Sequence, residues 1–156
     1  MNAVRPIAVK LDQDTRDRLK RLADAKDRST HWMLREAVTQ FVEREEKREA
    51  FRQAGLQAWE DYQATGKHVT HDEAERLYKF LAEKNPEAAR RAAKSIREGM
   101  QILRDQPGVG RPVDDMEPEF REWFITFGDS GYVSLYRFDG ATAVILAIRH
   151  QREAGY

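Results

Sequence analysis

Arg5-Pro-Ile-Ala-Val-Lys-Leu11 alternates cleanly. Ile7, Val9 and Leu11 fall on one face and Pro6, Ala8 and Lys10 on the other, which is the period of a strand. The residues after Leu11 read as helix, so the chain offers this strand no near partner. A lone strand would leave its edge amides unpaired. The nearest partner is the same strand of a second copy, which predicts a homodimer through residues 4–50. A module of about 45–50 residues is also near the lower limit for folding alone.

Outward from that strand, Asp12 or Asp14 can cap a first helix with Leu19, Leu22 and Ala23 as its apolar stripe. Lys26-Asp27-Arg28 breaks the pattern. Ser29 or Thr30 then caps a second helix with Met33, Leu34, Ala37, Val38, Phe41 and Val42 on one face, running into the charge-rich stretch 43–49. Beyond it Phe51, Leu56, Trp59 and Tyr62 lie roughly one helical turn apart, and Gly66 suits a helix stop. This stretch is either a partner-binding tail or a plain packing helix. Thr70-His-Asp-Glu73 is a capping box that starts another helix, with Ala74, Leu77, Tyr78 and Leu81 apolar. Asn85 and Pro86 open the next one.

The helix from Pro86 to about Asp105 places Ala89, Ala92, Ala93, Ile96, Met100 and Leu103 on one face. Arg90, Arg91, Lys94, Arg97 and Arg104 lie on the other, a solvated face or one that meets an acidic partner. A Pro-Gly loop comes next. Strands are predicted over 121–127, 132–138 and 142–149, with turns at Asp129-Ser-Gly131 and Asp139-Gly140. Trp123, Ile125 and Phe127 share a face. Val133 and Leu135 oppose Tyr132, Tyr136 and Phe138, and Val144, Leu146 and Ile148 oppose Ile145 and Ala147. The fold class is α+β: a strand-helix-helix module at residues 1–50, a linking helix at 51–75, and at 76–156 a helical hairpin packed on a three-stranded antiparallel β-meander.

Arg5-Pro-Ile-Ala-Val-Lys-Leu-Asp and Arg28-Ser-Thr-His-Trp-Met-Leu-Arg-Glu-Ala resemble the ribbon-helix-helix family of CopG/ParD-type antitoxins over about residues 4–70. The resemblance implies an intersubunit ribbon in the major groove of operator DNA and autoregulation of transcription. Pro6, Ala8 and Lys10 then face the groove, Arg5 flanks them, and Ser29 and Thr30 meet a phosphate at the helix start. Pro6 and Ala8 cannot make bidentate base contacts, so salt-dependent binding of modest affinity is expected, or a ribbon kept for dimerisation alone. The same resemblance makes Phe51, Leu56, Trp59 and Tyr62 toxin-contacting residues.

Ala82-Glu-Lys-Asn-Pro-Glu-Ala-Ala-Arg, Gly110-Arg-Pro-Val, Glu119-Phe-Arg-Glu-Trp, Ser130-Gly-Tyr-Val-Ser-Leu-Tyr-Arg and Ile148-Arg-His-Gln-Arg resemble the RelE/ParE toxin superfamily over about residues 76–156. Toxins of that kind usually begin with a strand, which is missing here unless 67–70 substitutes for it. The two resemblances together imply a type II toxin–antitoxin fusion whose linker neutralises the toxin domain. RelE-type members are metal-independent endoribonucleases acting on messenger RNA at the ribosome. They need a base, cations for the phosphorane charge and an acid. The positions that correspond are Arg149 or His150 as cation and Tyr156 beyond it, with Arg121, Arg137 and Arg152 as further phosphate contacts. The paired lysines of that pattern are absent, and Val133 stands where it has an arginine. ParE-type members instead bind DNA gyrase. An inert dimeric remnant is the third reading.

Composition narrows the rest. Twenty-seven basic residues balance 27 acidic ones, so net charge makes no case for nucleic acid. The absence of cysteine removes disulfides and thiolate metal sites. No cofactor and no metal is called for. No apolar run reaches the ~20 residues of a membrane span, and the first residues lack a signal-peptide core. The expected location is cytoplasmic, with no membrane partner.

Overall fold

In the computed structural model, residues 7–66 and 85–156 are described. Arg5, Pro6, the stretch 67–70 and the helix expected from Thr70 lie outside them. The chain divides into two compact units, Met1–Val42 and Glu43–Tyr156.

In the first unit, α1 spans Gln13–Ala25 and α2 begins at Thr30, continuing to Thr65. Asp12 caps α1: its Oδ1 accepts from the Thr15 amide at 2.8 Å and its Oδ2 from the Thr15 hydroxyl at 2.8 Å. These bonds hold the carboxyl below its ordinary pKa. Ser29 caps α2, its Oγ accepting from the Trp32 amide at 3.1 Å. Between the helices, Asp27 takes a positive φ of 51° and the Arg28 amide returns to the Ala23 carbonyl at 3.0 Å. Residues 7–12 form no ladder among the described residues. Among the described residues of this unit, Ala23 alone is buried, while Ile7 is 91 % exposed and Val38 and Phe41 more than half exposed.

The second unit is built on a four-stranded antiparallel sheet in the order β1-β2-β3-β4: Arg111–Pro112, Phe120–Ile125, Tyr132–Phe138 and Ala143–His150. The expected meander is there, and the two-residue β1 adds a fourth strand that alternation could not reveal. Asp139 makes the β3–β4 turn by accepting from the Ala141 and Thr142 amides. The expected alternation along β4 fails at one point. A register shift between Leu135 and Tyr136 puts Leu146 opposite no residue of β3. As a result Val144, Leu146 and Ala147 serve one core cluster, and Ile145 and Ile148 the other.

Described helices cover both sheet faces; the first helix of the expected hairpin lies outside the described residues. From Glu43 onward α2 covers one face. Phe51, Gly55 and Ala58 are buried on it, at the i, i+4, i+7 spacing of one helix face. Phe51 and Ala58 join Val113, Phe120, Val133 and Leu135 in a core cluster, with Leu56, Trp59 and Tyr62 packed at its margin. Burying Phe51 is worth about 1.5–3 kcal/mol. Gly55 is where the helix comes closest: a Cβ there would sit 2.2 Å from Leu135 Cδ2. On the opposite face lies α3, Pro86–Asp105, capped by Asn85, whose side chain accepts from the Ala88 amide at 3.0 Å. Its Ala92 and Ile96 pack on Ile125, Tyr132 and Ile148.

Candidate functional site

Glu122 is the centre of a polar cluster in the second unit. It sits in β2 on the face that α2 covers and is 3 % exposed. An unpaired carboxylate at that depth would be costly. Pairing of β1 with β2 sets Arg111 opposite it, and Arg111 Nε and Nη2 donate to Glu122 Oε2 at 3.1 and 3.0 Å. The Tyr156 hydroxyl donates to Oε1. Burial first, and the bond to Glu122 second, push the Tyr156 phenol above its ordinary pKa. At neutral pH it is a neutral donor.

α2 closes this cluster through Arg48, one turn before Phe51 on the same helix face. Arg48 Nε donates to the Gly155 carbonyl at 3.0 Å, Nη1 pairs with Glu45 at 3.0 Å, and the guanidinium lies 4.9 Å from the Tyr156 ring centre. Gly155 has φ +82°, and a Cβ there would meet the Arg44 carbonyl at 2.3 Å, so glycine permits the approach. Phe124 meets the Tyr156 ring edge-on at 5.1 Å. Arg48, Arg52 and Arg111 line a pocket with Asp114, Glu122 and Tyr156. In it, Arg52 Nε is buried without a hydrogen-bond partner. The pocket therefore offers guanidinium donors. Both Glu122 oxygens are already engaged, which leaves that carboxylate poorly placed to take a proton from a substrate.

The four residues suggested for catalysis are divided between the sheet faces. Tyr156 and Arg149 lie on the α2 side, where the Arg149 guanidinium is 5.7 Å from the Phe51 ring centre. His150 lies on the other side, against Tyr132, with its Nε2 3.1 Å from Ser130 Oγ. Arg121 is turned to the loop before β1, its Nη1 donating to the carbonyls of Gly110 at 2.6 Å and Gly108 at 3.3 Å. Tyr136 pins the same loop by donating to the Pro107 carbonyl at 2.7 Å and accepting from the Gly110 amide at 3.0 Å. Arg137 stacks over Trp59 at 4.5 Å. Among the DNA-contact candidates, Ala8, Lys10, Ser29 and Thr30 are all exposed, and Arg5 lies outside the described residues. Sequence patterning alone does not single out Glu122 or Arg48. A glutamate alternating with apolar residues on an inward face was the available signal for Glu122.

Residues 71–155 match the family model of the ParE toxin of type II toxin–antitoxin systems (parDE). The chain belongs to the ParE toxin family. Its residues 5–45 match the ribbon-helix-helix protein model of the copG family. It is similar to Toxin RelE1 of Caulobacter vibrioides, with 36 % identity over 78 residues, covering 50 % of this chain and 81 % of that protein. An antitoxin-type ribbon-helix-helix module and a ParE/RelE toxin domain are thus joined in one chain, a toxin–antitoxin fusion. The copG-family module brings the family's association with dimers and DNA. No described helix of the ParE-family chain is long and apolar enough to cross a membrane.

Proposed function

We propose that this fusion neutralises its own toxin domain: the 43–65 part of α2 acts as the antitoxin tail and occupies the sheet face that carries Arg149 and Tyr156. The observation that carries the reading is the seating of Phe51, 1 % exposed, in the core cluster formed with the sheet, next to Arg149. Covalent linkage supports it, because a short linker sets an effective concentration on the order of mM. Phe51, Leu56, Trp59 and Tyr62 are the toxin-contacting residues in this proposal. Residues 1–50 form the homodimeric DNA-binding module, 51–75 the linking, toxin-binding segment and 76–156 the toxin domain. The dimer binds operator DNA in the cytoplasm through Arg5, Ala8 and Lys10, with Ser29 and Thr30 on a phosphate.

For the toxin domain we favour inhibition by binding, as in the gyrase-directed members, over messenger RNA cleavage. The division of Arg149 and Tyr156 from His150 and Arg121 across the sheet supports this, since cleavage needs acid, base and cations converging on one phosphate. The test is growth of cells expressing the full chain beside Phe51→Arg and Gly55→Arg variants, with folded protein checked by circular dichroism. Arrest by a folded variant and not by the parent is expected. A folded variant that leaves growth untouched overturns self-neutralisation. If arrest appears and survives His150→Ala with Tyr156→Phe, inhibition by binding stands; its loss returns the domain to cleavage.

A further inference from the structure

The outer side of α3 carries a basic row that neither the sheet nor the polar cluster uses. Arg90, Arg97 and Arg104 repeat at i, i+7 and i+14, and Lys94 lies between them; all four are exposed. Seven residues advance an α-helix about 10.5 Å, so the row runs roughly 21 Å and drifts little around the axis. Ala89, Ala92, Ile96, Gly99 and Leu103 are buried on the other side of the helix, which leaves the row facing solvent. Among the described residues, Lys94 has one ion pair, to Glu98 at a loose 3.7 Å and largely exposed. The three arginines are in no ion pair among the described residues. In a chain of zero net charge, four cations are thus gathered in a line.

We propose that this row is a second DNA contact: α3 of the toxin domain tracks the phosphate backbone of duplex DNA. A straight, evenly spaced line of guanidiniums suits a polyanion with a charge about every 1.7 Å, because contacts form in many registers. Arginine adds forked donors that match phosphate oxygens. The chain also has a use for such a contact. Its copG-family module presents Ala8 and Lys10 on the groove-facing side, with Lys10 the one long donor among the described positions there. Affinity from that surface is low, and backbone charge elsewhere in the chain raises it without adding sequence preference. The proposal rests on the DNA-binding part of the proposed function.

The experiment titrates the full-length protein against a random-sequence 30-base-pair duplex across a salt series. It compares the parent with Arg90→Gln/Lys94→Gln/Arg97→Gln/Arg104→Gln and, separately, with Lys10→Ala. Glutamine keeps helix propensity at these exposed sites, and an unchanged melting curve confirms the fold. Each phosphate contact contributes about 0.9 to the slope of log K against log salt. The quadruple variant is expected to lower the slope by about 3–4 and Lys10→Ala by about 1. An unchanged slope in the quadruple variant overturns the proposal while a lowered slope in Lys10→Ala keeps the ribbon reading. The reverse pattern keeps the α3 row and removes the ribbon. A parent protein that does not bind the duplex at all overturns both.

Discussion

From Gln13 to Val42 two helices with clear apolar stripes bury a single described residue, Ala23, whereas from Glu43 onward one half of the same α2 helix inserts Phe51 and Ala58 into a sheet closed on both faces. The helices are equally regular in both regions. What differs is how far the apolar face is buried among the described residues. Helical stability in proteins comes mostly from such packing and little from propensity. The first region leaves its apolar residues largely exposed, which is the surface the proposed homodimer would cover, and the second buries its own.

The sharpest way to break this contrast is to truncate a phenylalanine in each region. Phe51→Ala should cost about 3–5 kcal/mol in urea unfolding of the second unit. Phe41→Ala, at a side chain 54 % exposed, should change the dilute protein by roughly 0.5 kcal/mol or less and instead weaken the dependence of unfolding on protein concentration. Equal losses at high dilution would dissolve the distinction. Gly55→Val comes next. It drives methyl groups into Leu135 and should cost about 1–3 kcal/mol, read from the same transition; a neutral result would mean that α2 does not sit against the sheet as described.

Tyr156→Phe removes a donor from buried Glu122 and should cost about 1–3 kcal/mol at neutral pH. It also has a pH signature. The folded state holds the Tyr156 proton to higher pH than the unfolded chain, whose tyrosines ionise near pH 10. This contribution is fully present below about pH 10 and is lost as pH rises toward the folded value. The variant should therefore lose less stability than the parent between pH 9 and 11, by roughly the share of one tyrosine. Tyr132 and Tyr136, whose phenols burial also pushes up, keep part of the decline. An identical alkaline profile in both proteins would remove Tyr156 from the buried cluster. The caps should have smaller effects than these. Ser29→Ala and Asn85→Ala should each cost about 1 kcal/mol in helix stability, measured by amide exchange in the first turns of α2 and α3. Similar values would show that local stabilisation is alike in the two regions and that the contrast lies in the core.

Much of this organisation is legible along the chain. The three strands of the meander start and stop within two residues of their expected positions, because Asp139-Gly140 and the glycine at 131 specify turns locally. Ser29 and Asn85 cap their helices as their residue type predicts. The two-residue β1 and the shift at Leu135/Tyr136 were not legible, since neither leaves a periodic trace and both exist only as pairing between strands. The candidate site was half legible. Arg149 and Tyr156 could be named, but their separation from His150 and Arg121 depends on which sheet face each side chain takes, in β2 as well as at the end of β4.

The sequence by itself determined the helices with their caps, the strands of the meander and the joining of two recognisable modules, because caps, turns and hydrophobic period act over a few neighbouring residues. The tertiary structure alone decided that Arg48, Arg111, Glu122 and Tyr156 become one cluster. Those residues are up to 108 positions apart, and nothing local requires their meeting. It follows from a strand register, from the closeness to Leu135 that Gly55 permits, and from the cost of leaving Glu122 buried without a donor.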